Sequence, residues 1–176
     1  VNRNAAMESF SQFNAMTLTQ WRAENNHLSK RLGDVRSNRG EIGSWARIYG
    51  YDSSLKDSVN TEVKATSIQV GSDVSVGKNW IIGGAFTYTD MSGDFDNGSS
   101  DADSYSLSAY ATGLFECGGF IDVIGRVGRI STDISASTLS ADGGVLAGSY
   151  DNTAFALSVE TGYHWTPASI FYVEPQ

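Results

Sequence analysis

Residues 25 and 26 of this 176-residue chain are both asparagine, and such a pair carries a latent chain-breaking chemistry. The carboxamide nitrogen of Asn25 lies one five-membered ring away from the backbone carbonyl carbon of its own residue. Attack there closes a succinimide and breaks the bond to Asn26, with no external nucleophile and with the gain of intramolecular proximity. A carboxamide nitrogen is a poor nucleophile, so the reaction needs a base for the amide proton and a backbone held against competing conformers. An isolated Asn-Asn pair is ordinarily just polar surface; carboxylates facing it would change its meaning. Asp122 alternates with Ile121 and Val123, Glu160 with Val159 and Thr161, and Glu174 with Val173. If these segments are strands, period-two logic places all three acids on one face.

Other chemistries find less support. His27 and His164 have no metal-ligand spacing to each other or to Cys117, the single cysteine, so no metal and no other cofactor is expected. Cys117 sits in the turn-like stretch "FECGGF", with no internal disulfide partner and no neighbour to activate its thiol. Serine is plentiful, yet there is no G-x-S-x-G elbow and no Ser-His-Asp grouping. A net charge of −8, without a basic patch interleaved with aromatics, argues against a nucleic-acid partner. Any catalysis is at most a single-turnover self-cleavage.

The element that must position the asparagines reads as a helix from about Ala6 to Arg36. No proline or glycine interrupts it before Gly33. Leu28, Leu32 and Val35 repeat at helical spacing, Phe10, Phe13 and Trp21 mark apolar positions further up, and Arg22, Lys30, Arg31 and Arg36 decorate the rest. "SNRGEIG" ends it. Strands follow by alternation: "GSWARIYGYD" (43–52), "VKATSIQVGSDVSV" (63–76), "KNWIIGGAFTYTD" (78–90), "DSYSLSAYATGLF" (103–115), "FIDVIGRVGRI" (120–130), "NTAFALSVETGYHW" (152–165) and a final "SIFYVEPQ". Short connections ("VGKN", "ECGG", "TPAS") alternate with long polar ones ("SSLKDSVNT", "SGDFDNGSSDA", "STDISASTLSADGGVLAGSYD"). Short turns on one side and long loops on the other is the wiring of an outer-membrane barrel.

The faces agree. One bears large apolar groups, with Trp80, Tyr88, Tyr105, Phe115, Tyr163 and Trp165 near strand ends, the pattern of two aromatic girdles. The other carries small residues with Ser106, Ser108, Asp122, Arg126, Glu160, His164 and Glu174, which suit a hydrated lumen better than a packed core. Arg126 and Glu160 are therefore expected to line a pore. No run of 18 or more apolar residues is present, so no membrane helix is expected, whereas a spanning strand needs only about ten residues of alternating polarity. The reading is an all-β, transmembrane antiparallel barrel whose lumenal acids attract the cationic helix as a plug. "VNRNAAMESF" lacks an apolar stretch suited to a signal peptide and "SIFYVEPQ" looks like a strand cut short, so a fragment is expected. A half-barrel would leave open edges in lipid, which calls for further strands or a capping partner.

These residues resemble the C-terminal translocator domains of type Va autotransporters. "NNHLSKRLGDVR" is similar to their linker helix, and "GSWARI", "GGFIDVIGR", "VETGYHW" and "FYVEPQ" are similar to their successive strand motifs. The likeness runs from about residue 20 to the end and is strongest to the serine protease autotransporters of Enterobacteriaceae, in which paired asparagines of the linker are the self-cleavage site. The resemblance implies about twelve strands in the complete barrel, roughly half of them here. Residues 1–40 would be a passenger stub and the linker helix threading the pore, and 41–176 barrel strands 1 to about 7. It implies a bacterial outer-membrane translocator, inserted by the barrel assembly machinery with periplasmic chaperones, that lets its own passenger reach the surface. It also implies that Asn25 is the nucleophile, Asn25–Asn26 the cleaved bond, and Asp122 and Glu174 cleavage residues. Two alternatives stay open: the same barrel anchoring an uncleaved adhesin with the helix as a permanent plug, and a soluble ligand-binding β-barrel.

Overall fold

A computed structural model describes residues 3–37, 42–56, 60–95, 98–137 and 145–163. One helix, α1 (Arg3–Ser37), precedes six strands: β1 (Ser44–Lys56), β2 (Asn60–Val76), β3 (Trp80–Phe95), β4 (Gly98–Leu114), β5 (Gly119–Ser137) and β6 (Val145–Tyr163). They form a single antiparallel sheet in chain order, β1 to β6. The expected final strand "SIFYVEPQ", which carries Glu174, lies outside the described residues, as do His164 and Trp165 at the expected end of the sixth strand.

The sheet wraps α1. Side chains of β1 (Tyr49), β2 (Ser67), β3 (Thr89), β5 (Arg126) and β6 (Tyr150) touch the helix, and Tyr110 of β4 packs with Leu28 and Leu32. Of the apolar positions expected of the helix, Phe13, Trp21, Leu28, Leu32 and Val35 are buried, and the Phe10 side chain lies outside what the structure describes. Two short turns, at 77–79 and 115–118, close the sheet at the end where α1 finishes. Gly77 and Gly118 adopt φ of +67° and +93° there, a backbone region in which a Cβ is strained.

Along the middle of the sheet, apolar residues point outward. Ile68, Val70, Ile82, Phe86, Leu107, Phe155 and Leu157 are all exposed on the convex face. On β3 the apolar band runs from Trp80 to Tyr88, within the nine to eleven residues a tilted spanning strand requires. Aromatics mark its limits, with Trp80, Phe115 and Tyr163 exposed at the turn end and Tyr105 exposed beside Tyr88 at the other.

Every strand from β2 to β6 runs beyond the limits read from sequence, and the reason is an inversion of polarity. Above the upper aromatics the outward positions turn acidic: Asp90, Asp103 and Asp151 fall in one row of the sheet, joined through Ser131. The inward positions turn apolar, with Val63, Ala65, Met91 and Ala102 enclosing Phe13. The stretches expected as loops thus continue as hydrogen-bonded strand in water. Their outer face is solvated and their inner face packs on the helix, as in a soluble barrel.

Candidate functional site

The Asn25–Asn26 pair lies just below a polar belt that occupies the middle of the lumen. Successive rows of the sheet place Ser67, Thr89 and Ser104 at one level and Gln69, Thr87 and Ser106 at the next. Gln20 of the helix donates from Nε2 to Ser67 Oγ at 3.2 Å, Ser67 in turn donates to Thr89 Oγ1 at 2.8 Å, and Thr89 donates to the Glu24 carboxylate. Gln69 donates to Thr87 at 3.0 Å. Such side chains are tolerated at zero to a few per cent exposure only because they satisfy one another.

Arg126 of β5 closes this belt on the helix. Its Nε donates to Ser106 Oγ at 3.0 Å, its Nη1 to the Trp21 carbonyl at 2.8 Å, and its Nη2 pairs with the Glu24 carboxylate. The guanidinium also stacks on the Trp21 ring, 3.6 Å from its centroid. Both planar donor edges and the flat face are therefore used, which a lysine cannot reproduce. Gly128, two residues on, makes room: a Cβ there would sit 2.8 Å from the Trp21 ring. Asn25 follows immediately, half-buried, with its carboxamide oxygen buried and without a hydrogen-bond partner among the described residues. Asn26 is exposed. His27 stacks on Tyr49 with ring centroids 3.8 Å apart, and its carbonyl accepts from Arg47 Nη1 at 2.9 Å. The pair is thus bracketed by two barrel arginines, each holding a helix carbonyl.

The end of the helix nearest the short turns is held by two further ion pairs. Asp73 of β2, 2% exposed, receives both Nε and Nη2 of Arg31 at 2.9 Å, Tyr110 Oη at 2.9 Å, Trp45 Nε1 at 3.1 Å and the Gly43 amide at 3.0 Å. This one carboxylate joins the helix, the entry to β1 and β4. Asp122 of β5 pairs with Arg36 and accepts from Thr112 Oγ1, and the Arg36 guanidinium lies 3.7 Å over the Phe120 ring.

Of the residues singled out from sequence, Asp122 is a buried lumenal acid, and the register sets Glu160 directly opposite it on the same face, half-buried. Arg126 is buried and faces the helix. Glu174 lies outside the described residues. Asp122 and Asn25 are not brought together: Asp122 holds Arg36, about three helical turns beyond Asn25. The expected pairing of helix cations with Asp122, Glu160 and Glu174 is corrected in part. Arg36 meets Asp122, but Arg31 meets Asp73. Charge also runs the other way, with the barrel cation Arg126 on the helix acid Glu24. Asp73 and Glu24 were missed by sequence reasoning. Asp73 was open to the same alternation argument, since outward Val70 and Val74 place residue 73 inward.

A six-stranded antiparallel sheet with an apolar outer belt, a polar inner face and a charged helix held against it defines a class of outer-membrane transport domain, the β-barrel translocator. Residues 44–176 match the family model described as the autotransporter beta-domain, and the chain belongs to that family. It is 31% identical over 179 aligned positions to the pertactin autotransporter of Bordetella parapertussis, covering 98% of this chain and 19% of that protein. To the serine protease Pet autotransporter of Escherichia coli O44:H18 it is 31% identical over 157 positions, covering 88% of this chain and 12% of the relative. The chain therefore spans a fifth or less of the relatives it matches. Its fold is that of the translocator domain of NalP from Neisseria meningitidis (TM-score 0.66, 18% identity, 84% of this chain and 54% of that one). It likewise matches the β-domain of the Bordetella autotransporter BrkA (TM-score 0.58, 22% identity, 75% and 53%). As a member of this family the chain is an outer-membrane translocator barrel, and the soluble ligand-binding reading falls away.

Proposed function

We propose that this barrel, inserted by the barrel assembly machinery with the help of periplasmic chaperones, lets its own passenger reach the cell surface and then parts from it at Asn25–Asn26. The carboxamide nitrogen of Asn25 attacks the carbonyl carbon of the same residue. A lumenal base takes the carboxamide proton and returns one to the Asn26 nitrogen as the bond to it breaks, so Asn26 leaves as a free amine while Asn25 ends as a succinimide. The observation that carries this reading is the setting of the pair: the helix is gripped on either side by Arg126 and Arg47, while the Asn25 carboxamide oxygen stays unengaged. A backbone held in this way meets the need for a fixed geometry.

Asp122 and Glu174 enter through the family resemblance. In the arrangement described, Asp122 acts through Arg36, fixing the depth of the helix, and Glu174 is assigned as proton acceptor. In the protein with its passenger, Asn25→Asp should leave passenger and barrel as one chain while the passenger still reaches the surface. Free passenger of normal size from that variant would remove Asn25 from the role. The second reading, an uncleaved adhesin with a permanent plug, draws on the ion pairs flanking the asparagines. It requires a single long chain in heat-denatured outer membranes, where the first requires two.

A further inference from the structure

The Asn25–Asn26 bond divides the helix into two halves that are anchored to the lumen separately. On the C-terminal side stand Arg31 on Asp73, Arg36 on Asp122, and Leu28 and Leu32 in an apolar cluster with Tyr110. These contacts hold the barrel's own half of the helix. On the N-terminal side, Glu24 and the Trp21 carbonyl are held by Arg126, and Gln20 reaches Ser67. Higher up, Phe13 is fully buried among Val63, Ala65, Met91 and Ala102, above the lipid-facing band. Asn14 accepts from the Tyr150 hydroxyl at 2.7 Å. On the helix, none of these passenger-side contacts involves a residue beyond the scissile bond.

We infer that the lumen of β2–β6 is a binding site for the passenger-side half of the helix, residues 13–24, that outlasts the peptide bond. Cutting at Asn25–Asn26 does not by itself free what lies N-terminal to it. The inference rests on the cleavage reading for the event but not for the contacts. Withdrawal of residues 13–24 exposes Phe13 to water and splits a buried ion pair, leaving Arg126 with Ser106 as its partner among the described residues. A buried charge deprived of its partner is among the costliest changes a lumen can suffer. The occupant is a segment of this same chain, and the fit is one of length and charge: an apolar ring at the top, a carboxylate below it, and a guanidinium waiting in the wall.

The test uses the protein with its passenger in isolated outer membranes, following how fast the N-terminal product moves from the membrane pellet to the supernatant after cleavage. The wild-type product should remain in the pellet. Phe13→Ala should leave cleavage intact and speed release about a hundredfold, and Tyr150→Phe about fivefold. Release of the wild-type product as fast as it forms, or release that neither substitution accelerates, overturns the inference. If the wild-type chain stays whole, the cleavage reading fails, and retention is then read on Asn26→Gly, whose Asn25–Gly bond hydroxylamine severs. A severed upper half that stays in the pellet supports the inference, and one that leaves at once overturns it.

Discussion

Replacing Asp73 by asparagine probes the polar junction that ties the helix to β1, β2 and β4. The carboxylate accepts five hydrogen bonds, from Arg31 (two), Trp45, Tyr110 and the Gly43 amide. An asparagine keeps one acceptor oxygen and turns an NH2 group toward these donors, so at least one Arg31 bond and the charge balance are lost together. Arg31 is 5% exposed, and removing one partner of a buried pair costs about 3–5 kcal/mol, because the other charge is left uncompensated. Asp73→Asn should therefore destabilise the complete barrel by roughly that amount. The double variant Asp73→Asn with Arg31→Met should recover most of the loss, since no charge of the pair then stays buried without its partner. The assay is equilibrium unfolding in urea of the barrel folded into phospholipid vesicles, followed by tryptophan fluorescence and by the heat-modifiable electrophoretic band. A loss under about 1 kcal/mol for the single variant, or two losses that simply add, would refute the view that Asp73 and Arg31 act as a buried unit.

Three further outcomes follow from the same geometry. Leu157→Arg, at a lipid-facing position 78% exposed between Phe155 and Val159, should cost about 2–4 kcal/mol of folding stability in bilayers; no change in urea midpoint would move the membrane band elsewhere. Gly83→Val places a side chain where a Cβ already sits 2.4 Å from the Tyr110 ring. It should displace Tyr110 from Asp73 and cost about 1–3 kcal/mol, visible as loss of the folded band at lower urea. Asp122→Asn should slow separation of passenger from barrel while insertion proceeds, measured by pulse-chase of the two products; an unchanged rate would reduce Asp122 to lining the lumen.

Much of this architecture was legible because two periodicities meet in one chain. Leu28, Leu32 and Val35 announce a helix, and the alternation of Tyr105, Leu107 and Ala109 with Ser106 and Ser108 announces a strand with a wet inner face. The strand ends were not legible, for a physical reason. Where Met91 and Ala102 face in and Asp90 and Asp103 face out, the sense of the alternation reverses, and a search for outward apolar residues stops at the membrane boundary instead of at the end of hydrogen bonding. Asp122 stood out beside Ile121 and Val123. Asp73, set between Ser72 and Val74 in a stretch of small residues, obeyed the same rule with less contrast. Which acid meets which cation was beyond the sequence altogether, because it depends on the depth and rotation of the helix in the lumen. Glu24 shows this most clearly: beside Arg22 and Lys30 it reads as one more surface charge, yet it is 1% exposed and paired with Arg126.

The central claim is that the helix held in this lumen is broken by its own Asn25. The most direct test is the intact mass and N-terminal sequence of the barrel fragment recovered from outer membranes of cells producing the protein with its passenger. The account predicts a fragment beginning at Asn26 in the wild type and an unbroken chain in Asn25→Asp. A wild-type chain that stays whole, or a fragment that begins at any other residue, contradicts it.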